Sequence, residues 1–223
     1  YFTSTRKAAT GKKKSMITGQ DYADLFRSTF NIQRQKWDKP QLLDEMLIIN
    51  TGDEEGAATL STTGDKMVFT RCRYDKQQPL GAELYSASQS RGSWSDPIKI
   101  QVVADSIIAG HPALSPDESI LYFVSDMPGG QGGKDIWMAE MDGGTYSNPV
   151  NLGETINTPG DEMFPYVRDN GDLYFSSDYH IGMGGLDIFV ASKDDEGNWT
   201  IKNMGYPVNS PSDDFGIAYV QAE

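Results

Sequence analysis

Ile120-Leu-Tyr-Phe-Val-Ser-Asp126, followed by Gly132-Gly-Lys-Asp-Ile-Trp137, returns 52 residues later as Asp172-Leu-Tyr-Phe-Ser-Ser-Asp178, followed by Gly184-Gly-Leu-Asp-Ile-Phe189. Weaker copies of the first block are Met67-Val-Phe-Thr-Arg71 and Tyr1-Phe-Thr-Ser-Thr5. Weaker copies of the second are Ala82-Glu-Leu-Tyr85 and Ala23-Asp-Leu-Phe26. A third marker is an aromatic with proline three residues on: Trp37/Pro40, Trp94/Pro97 and Tyr146/Pro149, with Trp199 keeping the aromatic but Lys202 in the proline place. A fourth is Ile49-Asn-Thr with Asp53-Glu54, then Ile156-Asn-Thr with Asp161-Glu162, then Val208-Asn-Ser with Asp213-Asp214. The second unit carries Ala109-Gly-His-Pro112 in its place. Four markers in fixed order at a period of about 53 identify a structural repeat.

Each repeat holds four short runs rich in β-branched and aromatic residues, separated by turn formers. In the best-defined one they are Pro112–Ser115, Ile120–Ser125, Asp135–Glu140 and Tyr146–Leu152, divided by Pro116-Asp117, the Gly129–Gly133 cluster and Asp142-Gly143-Gly144. Four strands in a repeat of this length predict a propeller blade. A leucine-rich solenoid repeats in half the length, and no long stretch has the 3.6-residue period of a helical array. The fold class is therefore all-β: a β-propeller of four-stranded blades, with about four blades' worth in this chain, read as part of a larger ring. The expected divisions are a partial blade at 1–52 with a basic insertion, blades at 53–106, 107–160 and 161–212, and a first strand of the next or closing blade at 213–223. Tyr122-Phe123 and Tyr174-Phe175 are expected between neighbouring blades. The glycine pairs before Asp135 and Asp187 are expected to supply backbone conformations that other residues resist. The chain opens inside a strand-like run, Tyr1-Phe2-Thr3, and reads as an excerpt of a longer protein.

The net charge of −13 repels nucleic acid and anionic lipid, so neither is an expected partner. The single cysteine, Cys72, excludes an internal disulfide. No apolar run approaches the roughly 18 residues of a membrane span, so no direct membrane insertion of this segment is expected.

The succession Pro112-x-x-Ser115-Pro116-Asp117, Leu121-Tyr122-Phe123-x-Ser125-Asp126 and Gly132-Gly133-x-Asp135-Ile136 resembles the TolB-type, WD40-like propeller repeat. Residues 112–189 match best, and the weaker copies extend the resemblance over nearly the whole chain. Asn151-Leu-Gly-Glu-Thr-Ile-Asn-Thr158 followed by Asp161-Glu162 looks like the version in envelope proteins of Bacteroidota. There the propeller often lies between a tetratricopeptide domain and an OmpA-like domain that grips peptidoglycan. The resemblance implies a periplasmic, outer-membrane-associated scaffold without catalysis or cofactor. Its partners would be other envelope or secretion-system proteins, and it would reach peptidoglycan only through a separate domain.

The side chains offer few rival chemistries. Asp53-Glu54, Asp161-Glu162 and Asp213-Asp214 precede each first strand, so they recur at one end of the blades. Such carboxylates suit a cation or a basic partner segment; the plainer reading has them capping turns and backbone amides. His111 is a candidate at the channel mouth, and neither His111 nor His180 has metal-ligand spacing. Pro128–Asp135 is rich in glycine but has Asp135 where a phosphate loop needs Ser or Thr, and its copy at Gly182–Gly185 reads as a repeated hairpin. Ser192-Lys193-Asp194 resembles a sialidase Asp box, but Glu196 stands where its glycine belongs. Lys12-Lys13-Lys14 is a basic loop tip, solvated by default and able to meet an acidic partner. The reading is a non-catalytic docking scaffold, with no catalytic or metal residues assigned. The alternative is a glycan-binding or hydrolytic propeller with its site in the channel.

Overall fold

A computed structural model describes residues 1–5, 21–44, 46–75 and 78–219. The Lys12–Lys14 loop and Val220 lie outside the described residues. The described chain is all-β and divides into two compact units, Tyr1–Ile100 and Gln101–Glu223. Its four main sheets are β-propeller blades built from antiparallel neighbours.

In the first unit, β1 (Phe2–Ser4), β2 (Asp24–Arg27) and β5 (Gln41–Leu42) form one sheet, and β3 (Phe30–Asn31) with β4 (Lys36–Trp37) forms a separate hairpin. β6 (Glu54–Leu60), β7 (Lys66–Asp75), β8 (Gln78–Ser90) and β10 (Ile98–Ile100) form the next blade, and β9 (Ser93–Trp94) pairs with β8. Pro40 and Pro97 stand where the outermost strand is interrupted, between β4 and β5 and between β9 and β10. This fits a residue that donates no ladder hydrogen bond. Leu25, Leu43, Ile49, Met67, Phe69, Ala87 and Trp94 close the core between these two sheets.

The second unit holds two full blades in simple meander order: β11 (Gly110–Leu114), β12 (Ile120–Ser125), β13 (Asp135–Asp142) and β14 (Thr145–Asn151), then β15 (Glu162–Val167), β16 (Leu173–Ser177), β17 (Asp187–Lys193) and β18 (Trp199–Asn203). Successive residues of a strand face opposite sides. Tyr122 and Phe175 accordingly enter one shared core with Ala113, Val124, Ile136, Ile156, Leu173, Phe189 and Ala191, while Phe123 and Tyr174 are buried on the other faces. The expectation that these aromatics pack between blades holds for Tyr122 and Phe175. Each such side chain contributes about 1.5–3 kcal/mol by burial.

Two expectations differ from the structure. The last segment, expected at 213–223 as a first strand of the next or closing blade, is irregular over its described part, and among the described residues no second strand pairs with it. The glycine pairs are present for space rather than for conformation. Gly132 and Gly133 have no positive φ, but a Cβ on Gly132 would lie 2.2 Å from the Thr158 carbonyl oxygen, and one on Gly133 would lie 2.3 Å from Asp161 Oδ1. Gly184 and Gly185 repeat this against the Ser212 carbonyl (2.1 Å) and Asp213 Oδ1 (2.2 Å).

Candidate functional site

Neighbouring strands of a blade run in opposite directions. The loops from second to third strand and from fourth strand to the next first strand therefore share one end of each sheet. The acidic turns and the glycine-rich hairpins both lie at this end.

A single cassette builds the joint three times. Asn157 is buried and clamps the third strand of the preceding blade: Ile136 N–H donates to Asn157 Oδ1 (2.8 Å), and Asn157 Nδ2 donates to the Ile136 carbonyl (2.9 Å). Asn50 does the same to Leu25 (2.8 and 2.9 Å), and Asn209 to Ile188 (2.8 and 2.9 Å). Each clamped residue follows the Asp of the third-strand marker: Asp24, Asp135 and Asp187. The carboxamide thus pairs with a strand segment as another peptide would, satisfying backbone groups that burial would otherwise leave alone.

Four residues beyond the cassette's Thr or Ser stands a carboxylate that closes the turn. Glu162 is buried and accepts from Thr158 N–H (2.8 Å), Thr158 Oγ1 (2.6 Å) and Ser177 Oγ (2.7 Å). Asp214 accepts from the Ser210 hydroxyl (2.9 Å) and its amide. In the first unit the equivalent residue is Glu55, which accepts from Thr51 N–H (3.0 Å), Thr51 Oγ1 (2.6 Å) and Arg71 Nε (2.8 Å). The acidic pair that matches Asp161-Glu162 is therefore Glu54-Glu55, one residue beyond the Asp53-Glu54 chosen from the sequence. The Thr-to-acid spacing of four was the signal that identifies it. Burial pushes the Glu55 carboxyl up to about 7, against the opposing pull of its Thr51 and Arg71 bonds. Burial also raises Glu162.

In the second unit the other acid of each pair faces the glycine hairpin. Asp161 accepts from Lys134 N–H (2.8 Å) and pairs with Lys134 Nζ (2.7 Å). Both side chains are partly exposed, so this pair adds at most about 1 kcal/mol. Asp213 accepts from Leu186 N–H (3.0 Å). Asp53 N–H donates to Thr51 Oγ1 (3.2 Å), and Glu54 opens β6.

His111 occupies a β-bulge in the first strand of its blade, at φ 46°. The equivalent positions Ala57 (φ 37°) and Phe164 (φ 54°) are bulged likewise. A left-handed non-glycine residue costs roughly 1–2 kcal/mol. The His111 ring stacks on Phe164 at 4.1 Å, and Phe164 stacks on Phe215 at 5.0 Å. His111 Nδ1 accepts from Phe164 N–H (3.4 Å), which identifies it as the unprotonated nitrogen. Burial, with Lys134 as a second cause, lowers the His111 pKa to about 4, so the ring is neutral at pH 7. His180 is structural: its Nε2 donates to the Ile156 carbonyl (2.9 Å), and its ring meets Phe175 and Phe189.

The structure brings Asp161, Glu162, Asp213, Asp214 and His111 into the joints and first strands of the second unit; Asp53 and Glu54 belong to the first unit. Among the described residues no three His, Cys, Asp or Glu side chains converge as a cation site. No described helix is long and apolar enough to cross a membrane.

No family model matches this chain, and no curated protein matches it either. Solved structures similar to it include TolB from Acinetobacter baumannii, at 12% identity and a TM-score of 0.48 over 78% of this chain and 36% of that one. A gluconolactonase from Xanthomonas campestris is 19% identical, with a TM-score of 0.47 over 74% of this chain and 52% of that one. A protein of unknown function from Dyadobacter fermentans is 13% identical, with a TM-score of 0.49 over 90% of this chain and 62% of that one. This chain thus spans about a third to under two thirds of the length of these proteins.

Proposed function

We propose that this chain is a non-catalytic docking scaffold of a bacterial cell-envelope assembly. The observation that carries the reading is the use of the repeated polar residues. Asn50, Asn157 and Asn209, and Glu55, Glu162 and Asp214, are engaged in turn and joint hydrogen bonds. The repeat thereby makes a rigid support, and the side chains that vary between loops are left for recognition. In each unit the docking surface is the loop end. Asp53 and Glu54 line it in the first unit, and Asp161 and Asp213 line it in the second. Glu162, Asp214 and His111 hold the backbone beneath.

The TolB-type repeat supports a periplasmic, outer-membrane-associated location. The Asn151–Thr158 and Asp161-Glu162 pattern supports the Bacteroidota group that includes the PorE component of type IX secretion. Partners on this reading are other envelope or secretion-system proteins. Peptidoglycan would be held by a separate OmpA-like domain. A second reading, glycan binding, is favoured by one observation: Phe215 and Tyr219 expose aromatic surface beside Phe164 and Tyr166.

Cross-linking the intact protein in cells, followed by mass spectrometry, tests the proposal. Recovery of envelope or secretion proteins, reduced by Asp53→Lys, is the expected result. A preparation that yields no protein partner but binds or cleaves a glycan would overturn it.

A further inference from the structure

The last two blades are a built-in comparison, because from Leu121 and Leu173 onward their sequences correspond at a constant offset of 52 residues. The scaffold positions at the loop end are the same in both: Gly130 and Gly182, Gly132 and Gly184, Asp135 and Asp187, Gly153 and Gly205, Asn157 and Asn209. The side chains between them are not. Met127, Gly129, Gln131 and Glu154 of one blade become Tyr179, Ile181, Met183 and Tyr206 in the other. These four are 62%, 95%, 47% and 84% exposed. Lys134, which pairs with Asp161, becomes Leu186.

The backbone under this apolar set is firmly held. The buried Asp187 accepts from Met183 N–H (2.7 Å) and Gly184 N–H (2.9 Å), and Ser177 Oγ accepts from Tyr179 N–H (3.2 Å). Asn203 Nδ2 donates to the Ile181 carbonyl (3.1 Å), tying the hairpin to the loop that carries Tyr206. Exposed apolar side chains gathered on a fixed backbone mark an interaction site, since little ordering remains to be done on binding.

We infer that the hairpin Tyr179–Met183, together with Tyr206, is the specific docking site of this chain, and that its occupant is a protein segment with apolar side chains flanked by Lys or Arg. This rests on the docking reading above and names the partner's chemistry. The charge comes from the surroundings. Residues 178–187 and 203–214 contain no Lys or Arg, and Asp178 and Asp213 are exposed carboxylates within them. They repel an anionic lipid surface. They also repel a second copy of a chain whose net charge is −13. A basic, apolar segment satisfies both features of the patch.

The test replaces Tyr179→Met, Ile181→Gly, Met183→Gln and Tyr206→Glu together. Each new residue stands at the corresponding position one blade earlier, and glycine adopts the backbone of Ile181 as readily as that of Gly129, so the fold is expected to be retained; a circular dichroism melt verifies this. A random-peptide phage library is panned on the intact protein and on the four-site variant. The expected result is enrichment of sequences joining Leu, Ile or aromatic residues to Lys or Arg. Resynthesised peptides should lose about tenfold or more in affinity for the variant, and binding should weaken as salt is raised. Equal binding to the variant, enrichment of acidic peptides, or self-association of the wild type that the variant abolishes would each overturn the inference. In-cell cross-linking separates it from the broader reading. Partners retained by the variant leave the docking scaffold standing and remove this hairpin from it, whereas partners lost with the four side chains support both.

Discussion

Replacing Asn157 with alanine tests the joint directly. The asparagine makes three buried or half-buried hydrogen bonds: with Ile136 N–H (2.8 Å), with the Ile136 carbonyl (2.9 Å) and with Asn151 Oδ1 (3.0 Å). The Ile136 carbonyl keeps a second partner in Leu152 N–H (3.2 Å), and Asn151 Oδ1 keeps Gly153 N–H (2.9 Å). Only the Ile136 N–H is left buried without a partner. That orphan costs about 1–3 kcal/mol, and the other lost bonds add about 1 kcal/mol. The sum is about 3 kcal/mol, or a fall in Tm of about 6–12 °C for a domain of this size. A circular dichroism melt measures the loss, and hydrogen exchange at the Ile136 amide locates it. Asn157→Asp should do no better, because it turns the donor into an oxygen facing the Ile136 carbonyl. Asn50→Ala should expose the Leu25 amide in the same way. A melt of Asn157→Ala within about 2 °C of wild type, with the Ile136 amide still protected, would refute the clamp.

Other consequences are as specific. Gly132→Ala places a Cβ 2.4 Å from the Pro159 carbonyl carbon and 2.2 Å from the Thr158 oxygen. The joint must open, and a loss of about 3 kcal/mol or more should appear as a lowered urea midpoint. His111 has a folded pKa of about 4 against 6.5 unfolded. The unfolded chain then binds the extra proton, and stability falls as pH drops from 6.5 toward 4, by at most about 3 kcal/mol. His111→Phe, a residue already tolerated at the equivalent Phe164, should flatten that limb of a pH–stability curve. Glu55 has the opposite sign. Its folded pKa of about 7 lies above the 4.5 of an unperturbed glutamate, so its contribution is full below 4.5 and is lost as pH rises through 7. Glu55→Gln should remove this dependence, read by hydrogen exchange of residues 49–72.

The blades were legible because a repeat converts one weak pattern into several registered copies. The run Ile120–Ser125 was bounded as the structure has it, and Asp135–Glu140 fell short of its strand by two residues. The joints were less legible. Asp53-Glu54 resembles the later pairs in charge, whereas the Thr51 turn makes Glu55 the structural equivalent of Glu162. Adjacent acids are interchangeable in a composition pattern, but not in a hydrogen-bonded turn of fixed length. The glycine pairs were visible, yet a glycine needed for space and one needed for positive φ look identical until the neighbouring Thr158 carbonyl is located. The bulge at His111 left no sequence signal, because alanine, histidine and phenylalanine all occupy it.

A repeated scaffold also changes how function should be sought in it. Residues that recur at the blade period are those the support requires: Asn157 and Asn209 bind backbone, and Asp135 and Asp187 accept from their hairpins. Recognition then belongs to the positions where the period fails while the support persists. Subtracting one blade from the next leaves Tyr179, Ile181, Met183 and Tyr206. Exposed apolar surface there is not required at these positions, since the preceding blade carries Met127, Gly129, Gln131 and Glu154 in its corresponding hairpin and loop, with Gly129 at φ 97°. The fold's own stability therefore does not account for these side chains, and the proposed docking of a partner would.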